Sequence, residues 1–223
     1  MKNQTVLIVG GSSGIGLALA QQVKQQGSNV IIASKSAEQQ APELRKINKL
    51  KECKYFSFDI TKESEIKKLL EKVGCIDHIA ITVKSPLIVA PFLELNTSDI
   101  RHAFETKLWG QYNIAKLAYK QINSGGSIVF SSGSLGIRPY FGFSTLSMIN
   151  GAVESLCKAL ALEIAPIRVN AVSPGFTTLK EMEDKIPLGL GKFSQIAEAY
   201  LFLMNNSYLT GTTILSDGGA MLI

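Results

Sequence analysis

Residues Thr5–Gly16 read TVLIVGGSSGIG, and this stretch decides the fold. The run from Thr5 to Val9 is β-branched or aliphatic throughout, as suits a short strand buried on both faces. It leads directly into Gly10-Gly11-Ser12-Ser13-Gly14-Ile15-Gly16, a G-x-x-x-G-x-G spacing that opens a helix. Gly10 and Gly14 permit a tight turn and close approach of backbone amides to a diphosphate, while Gly16 lets the helix pack on the sheet. The N-terminus of that helix favours negative charge. A tight turn without a ligand is the alternative, but the strand–turn–helix context points to a dinucleotide. Its contacts would be Gly10, Ser12, Ser13, Gly14, Ile15 and Gly16.

Short apolar runs recur at Val30–Ala33, Tyr55–Phe58, His78–Val83, Ser127–Phe130, Ile167–Val172 and Thr213–Leu215, alternating with longer helical patterns. Continuous apolar strands separated by helices predict an α/β fold, a Rossmann-type doubly wound parallel sheet of about seven strands. The 223 residues form one expected domain, 1–223, with 46% hydrophobic and 18% charged residues. Lys and Arg number 23 against 18 Asp and Glu, a net charge of +5 without clustering, so no nucleic-acid partner is expected. No charged-then-apolar leader and no apolar run near ~18 residues is present, so a cytoplasmic protein without membrane association is expected. Cys53, Cys75 and Cys157 lack metal-ligand spacing and are read as reduced thiols. Helices over 98–122 and 143–164 are apolar around much of their circumference, which predicts a homo-oligomer, dimer or tetramer, packed through them.

Residues Phe143–Val172, FSTLSMINGAVESLCKALALEIAPIRVNAV, resemble the long helix and following strand of the short-chain dehydrogenase/reductase family. With the glycine turn, the resemblance extends over essentially the whole chain. It implies that Asp59 and Ile60, in Phe58-Asp59-Ile60, lie at the adenine, although Asp59 could also cap a helix beginning near Lys62. The segment Ile81-Thr82-Val83-Lys84 stands where the family has Asn-Asn-Ala-Gly, and Thr82 would pass the cofactor by its backbone. Pro174, Gly175 and Phe176 resemble the turn along the nicotinamide carboxamide, with Thr177 or Thr178 as its partner. The second strand ends in Ser34-Lys35-Ser36, with no acidic residue to bind both ribose hydroxyls and repel a 2′-phosphate. Ser13, Ser34, Lys35 and Ser36 favour NADP(H).

The family's catalytic helix carries a Tyr and, four residues on, a Lys. Aligned on Glu163 and on Ile167–Asn170, those positions fall on Leu146 and Asn150. The family's Ser corresponds to Ser132, with Ser134 as the weaker candidate, and its Asn to Lys107. Lys and Asn have thus exchanged places, and Lys107 could bind ribose or polarise an oxyanion from the neighbouring helix. Tyr140, in the loop entering the catalytic helix, is a further candidate acid. Tyr112-Asn113-Ile114-Ala115-Lys116 matches Tyr-x-x-x-Lys literally but lies before the Ser-bearing strand, which marks a chance match. His78 and His102 are read as structural, and no metal constellation is present. Two functions follow. One is an NADP(H)-dependent oxidoreductase of a small carbonyl or alcohol, using Ser132, Lys107, Asn150 and Tyr140. The other is an inactive NADPH-binding redox sensor or scaffold.

Overall fold

The computed structural model describes residues 1–223. Seven strands form one sheet: β1 (Thr5–Val9), β2 (Asn29–Ser34), β3 (Lys54–Ser57), β4 (Ile76–Ile81), β5 (Ile122–Ser131), β6 (Arg168–Pro174) and β7 (Thr213–Ser216). The helices are α1 (Gly14–Gln25), α2 (Ala37–Leu44), α3 (Glu63–Val73), α4 (Thr97–Phe104), α5 (Gly110–Ala118), α6 (Ser144–Glu163) and α7 (Phe193–Asn205). Strand order is β3-β2-β1-β4-β5-β6-β7, parallel throughout.

Side chains alternate across each strand, so β1 feeds two cores. Leu7 and Val9 pack with Ile66 and Leu69 of α3, Ile114 of α5, and Ile149 and Val153 of α6. Val6 and Ile8 pack on the other face with Leu19 and Val23 of α1, Ala41 of α2, and Tyr200 and Leu203 of α7. Helices therefore cover both faces, which is why the strands read as unbroken apolar runs. The chain passes from edge strand β3 back across to β4 beside β1, and this reversal opens a crevice at the carboxyl ends of the central strands.

The helix expected over 98–122 is present but irregular, with a 3-10 turn at Tyr119–Gln121 closing it. Its α-helical part starts at Thr97, passes through a π-turn at Glu105–Trp109 and ends at Ala118. Ile122 already belongs to β5, paired with Ile76 before a register shift ahead of His78. The polar Asn123-Ser124-Gly125-Gly126 carries no apolar signal, so sequence registers that strand only from Ser127. No helix is long and apolar enough to cross a membrane. Arg168 of β6 donates to Leu203 O (2.7 Å) and Met204 O (2.9 Å), satisfying carbonyls at the C-terminal end of α7.

His78 is buried in β4 with Nδ1 2.8 Å from Ser127 Oγ, a structural position as expected. Burial and then the nearby Arg168 charge push its pKa down to about 4. An unfolded chain would protonate this ring near pH ~6.5, so between about 6.5 and 4 the unfolded state holds more protons. Stability is therefore expected to fall across that window by on the order of 1–3 kcal/mol. Denaturant unfolding of His78→Gln against pH should show a flatter acid limb; an unchanged limb would remove His78 from the account.

Candidate active site

The crevice is a cavity of about 1100 Å³ running from the glycine turn to the start of α6. At the turn, Gly10 takes φ +84°, and a Cβ there would stand 2.9 Å from Thr82 Oγ1. That hydroxyl donates to Val9 O at 2.9 Å, locking the ends of β1 and β4 together. At Gly16 a Cβ would overlap Gly10 O and Thr82 Oγ1, so α1 can sit this close only with glycine. Ser13, N-terminal to α1, makes no side-chain capping bond, which leaves the first amides of the helix for a ligand. Free helix amides at the end of this glycine turn fit a diphosphate.

At the end of β2, Ser34 Oγ lies 2.9 Å from Ser12 Oγ, and Lys35 extends into solvent with Nζ 3.6 Å from Asp59 Oδ2. Asp59 does not cap α3. Its Oδ1 accepts from Thr61 N (3.0 Å) and Thr61 Oγ1 (2.7 Å), while Glu65 of α3 reaches back to accept from Asp59 N (2.7 Å). Burial opposes ionisation of Asp59, but the Thr61 donors and the charges of Lys35 and Lys62 outweigh it and hold its carboxyl below the usual range.

The other end is organised around Lys107, which the π-turn directs inward. Its Nζ donates to Ser132 O (2.9 Å) and Asn150 Oδ1 (2.7 Å), and the side chain is buried. Gln111 pins the turn to β5: its amide donates to Lys107 O (2.7 Å) and Ser131 O (3.1 Å), and it accepts from Ser131 N (2.8 Å). Burial pushes the Lys107 ammonium down to about 8, against the pull of the Glu154 carboxylate. An ammonium has three donors; two are engaged here, which leaves one. Asn150 fits because Gly133 and Gly136 make room: a Cβ at 133 would lie 2.7 Å from its Nδ2, and one at 136 would lie 2.9 Å from its Cβ. Ser132 Oγ turns toward α6, donating to Glu154 Oε1 at 2.7 Å and lying 3.2 Å from Asn150 O. Leu87, Leu135, Phe143 and Leu146 form an apolar wall beside this group.

Of the residues nominated from sequence, all line the cavity except Gly16, which is wedged behind the turn, and Tyr140. Tyr140 donates to Ala220 O at 3.2 Å and packs edge-on against Phe176, so the structure does not bring this phenol to the cavity. Thr177 and Thr178 both line it, as does His102, which sequence places only as structural. Tyr112 and Lys116 lie off the cavity, with the Lys116 ammonium 5.7 Å from the Tyr112 ring centre. Sequence reasoning missed Gln111 and Glu154. Only Glu154 left a signal, one helical turn after Asn150 on the same face.

A family model described as enoyl-(acyl carrier protein) reductase matches residues 9–221. The short-chain dehydrogenase/reductase ATR9 of Stachybotrys chlorohalonatus is 33% identical over 250 residues, covering 100% of this chain and 98% of that protein. The chain belongs to the short-chain dehydrogenase/reductase family. This is a family of oxidoreductases, and its resemblance here spans the whole chain. The mouse 3-oxoacyl-[acyl-carrier-protein] reductase is 32% identical, with 96% of this chain and 97% of that protein covered. A small-chain dehydrogenase solved in complex with NADPH superposes with a TM-score of 0.86 at 31% identity over 100% of both chains. The seven-stranded parallel sheet is thus the family's own fold.

Proposed function

We propose that this protein is an NADP(H)-dependent oxidoreductase, interconverting a small carbonyl and its alcohol, in which Lys107 replaces the family's Tyr-x-x-x-Lys pair. The observation that carries this reading is the buried Lys107 ammonium, held by Ser132 O and Asn150 Oδ1 with one N–H left over. Leu146 and Asn150, at the positions of the family pair, line the same cavity and cannot give up a proton. NADPH supplies the hydride when bound. Lys107 Nζ delivers a proton to the carbonyl oxygen during reduction, and water restores it to the resulting amine. A pKa near the working pH suits that role, because both protonation states are accessible. Asn150 orients the amine, and Ser132 contributes its backbone carbonyl.

Ser12, Ser13, Ser34, Lys35 and Ser36 support the preference for NADP(H), since Lys35 is exposed at the cavity edge, where its ammonium would meet a 2′-phosphate. The relative solved with NADPH agrees with this. Ser34→Asp is expected to weaken NADPH by about 10²-fold through like-charge repulsion at the phosphate, and to favour NADH. Fluorescence titration of both nucleotides checks it; an unchanged NADPH affinity would place the phosphate elsewhere.

The reading includes a homo-oligomer formed through the long helices, supported by exposed Trp109, Met148 and Leu162 on their outer faces. The apolar Leu146 also favours a second function, a sensor or scaffold that binds NADPH without turnover. Carbonyl-dependent oxidation of NADPH, followed by the loss of nicotinamide absorbance over a panel of aldehydes and ketones, separates the two. A rate above background supports the enzyme; saturable binding without a rate supports the sensor.

A further inference from the structure

The Ser132 hydroxyl meets one turn of α6 at two points. It donates to Glu154 Oε1 at 2.7 Å and lies 3.2 Å from Asn150 O. The backbone carbonyl of the same serine accepts from Lys107 Nζ at 2.9 Å, while Asn150 Oδ1 accepts from that nitrogen at 2.7 Å. Ser132 therefore bridges the ammonium and the carboxylate, its carbonyl on one and its hydroxyl on the other.

Both oxygens that hold Lys107 Nζ are neutral, so neither balances its charge. A buried ammonium is costly without an opposite charge nearby. The end of β5 offers Ser131 and Ser132, and α5 offers Gln111, none of them charged. Lys84, in the segment leaving β4, and His102 of α4 line the cavity and can add only positive charge. Glu105, in the π-turn itself, is exposed to solvent. That leaves Glu154 of α6, which is half-buried, lies off the cavity and is the carboxylate whose field reaches Lys107.

We infer that Glu154 is a positioning residue for the reduction: its carboxylate is the counter-charge of the Lys107 ammonium, and its bond to Ser132 Oγ fixes the serine whose carbonyl holds that nitrogen. This rests on the oxidoreductase reading above. Once Lys107 has given its proton to the carbonyl oxygen, water must return one to the amine, and a negative charge on α6 favours that return. Glu154 acts through Lys107 and Ser132 from behind the cavity wall.

The test follows the ionisation of Lys107 by NMR in protein labelled with carbon-13 at lysine Cε, the resonance being assigned by its absence from Lys107→Met. Glu154→Gln keeps the size of the side chain and an oxygen to accept from Ser132. In this variant the Lys107 midpoint should fall below that of the wild type by about half a pH unit or more. Glu154→Asp retains the charge and should stay nearer the wild type. Ser132→Ala removes the bond but leaves the carboxylate, and should move the midpoint less than Glu154→Gln does. The alkaline decline of carbonyl-dependent NADPH oxidation should move with the midpoint, with NADPH affinity unchanged. Equal midpoints in the wild type and Glu154→Gln overturn the assignment, as does a fall of the same size in Ser132→Ala. A rate profile that stays in place while the midpoint moves overturns the positioning role. A lower midpoint in a protein that reduces no carbonyl would instead refute the oxidoreductase reading and leave the pairing of Glu154 with Lys107 standing.

Discussion

Lys107→Met is expected to lower carbonyl-dependent NADPH oxidation by about 10²–10³-fold while changing NADPH affinity only a few-fold. Methionine nearly matches the lysine stem in volume and cannot carry a proton, so the variant removes the chemistry with little change in packing. The wild-type rate of reduction should decline as pH rises through about 8, the value to which burial pushes the Lys107 ammonium. Stability supplies a second readout. The folded pKa lies below the unfolded 10.5, so between about 8 and 10.5 the unfolded chain holds more protons. Stability conferred by this site therefore climbs with pH across that window, and Lys107→Met should lose the climb. A variant that turns over at the wild-type rate would end the proton-delivery role outright.

Asn150→Lys alone is expected to cost about 3 kcal/mol or more, because it sets a second ammonium where Lys107 Nζ now lies 2.7 Å from Asn150 Oδ1. Two like charges in a buried site cannot both be accommodated, and the longer stem must also pass Gly133 and Gly136. Adding Lys107→Asn restores one cation and one amide in exchanged positions. The pair should then show a favourable coupling of about 1–3 kcal/mol in a double-mutant cycle of denaturant unfolding. Simple additivity would mean that the two side chains do not meet in solution.

The sheet and the glycine turn were legible because their causes are local. A strand buried on both faces must be apolar throughout, and Gly10 and Gly16 sit where a Cβ would strike Thr82. Most cofactor-side residues follow from that turn and from the ends of β2, β4 and β6. The other end was legible only in composition. Lys107 and Asn150 were nominated, and they do meet, but nothing in the sequence reveals that Ser132 faces Glu154 or that Gln111 pins the turn to β5. Those facts depend on which way side chains turn once three separate segments converge. Tyr140, considered for the acid role, likewise turns its hydroxyl to a carbonyl some eighty residues downstream, Ala220 O.

The π-turn at Glu105–Trp109 also bears on how this chain is compared with its relatives. Its hydrogen bonds span five residues instead of four, so the helix holds one residue more than a regular helix of equal length. A relative with an unbroken helix matches α4 in one alignment frame and α5 in the next. Correspondences between 105 and 109 thus depend on which flank is used as the anchor, and only superposed coordinates can say which residue of another member stands opposite Lys107.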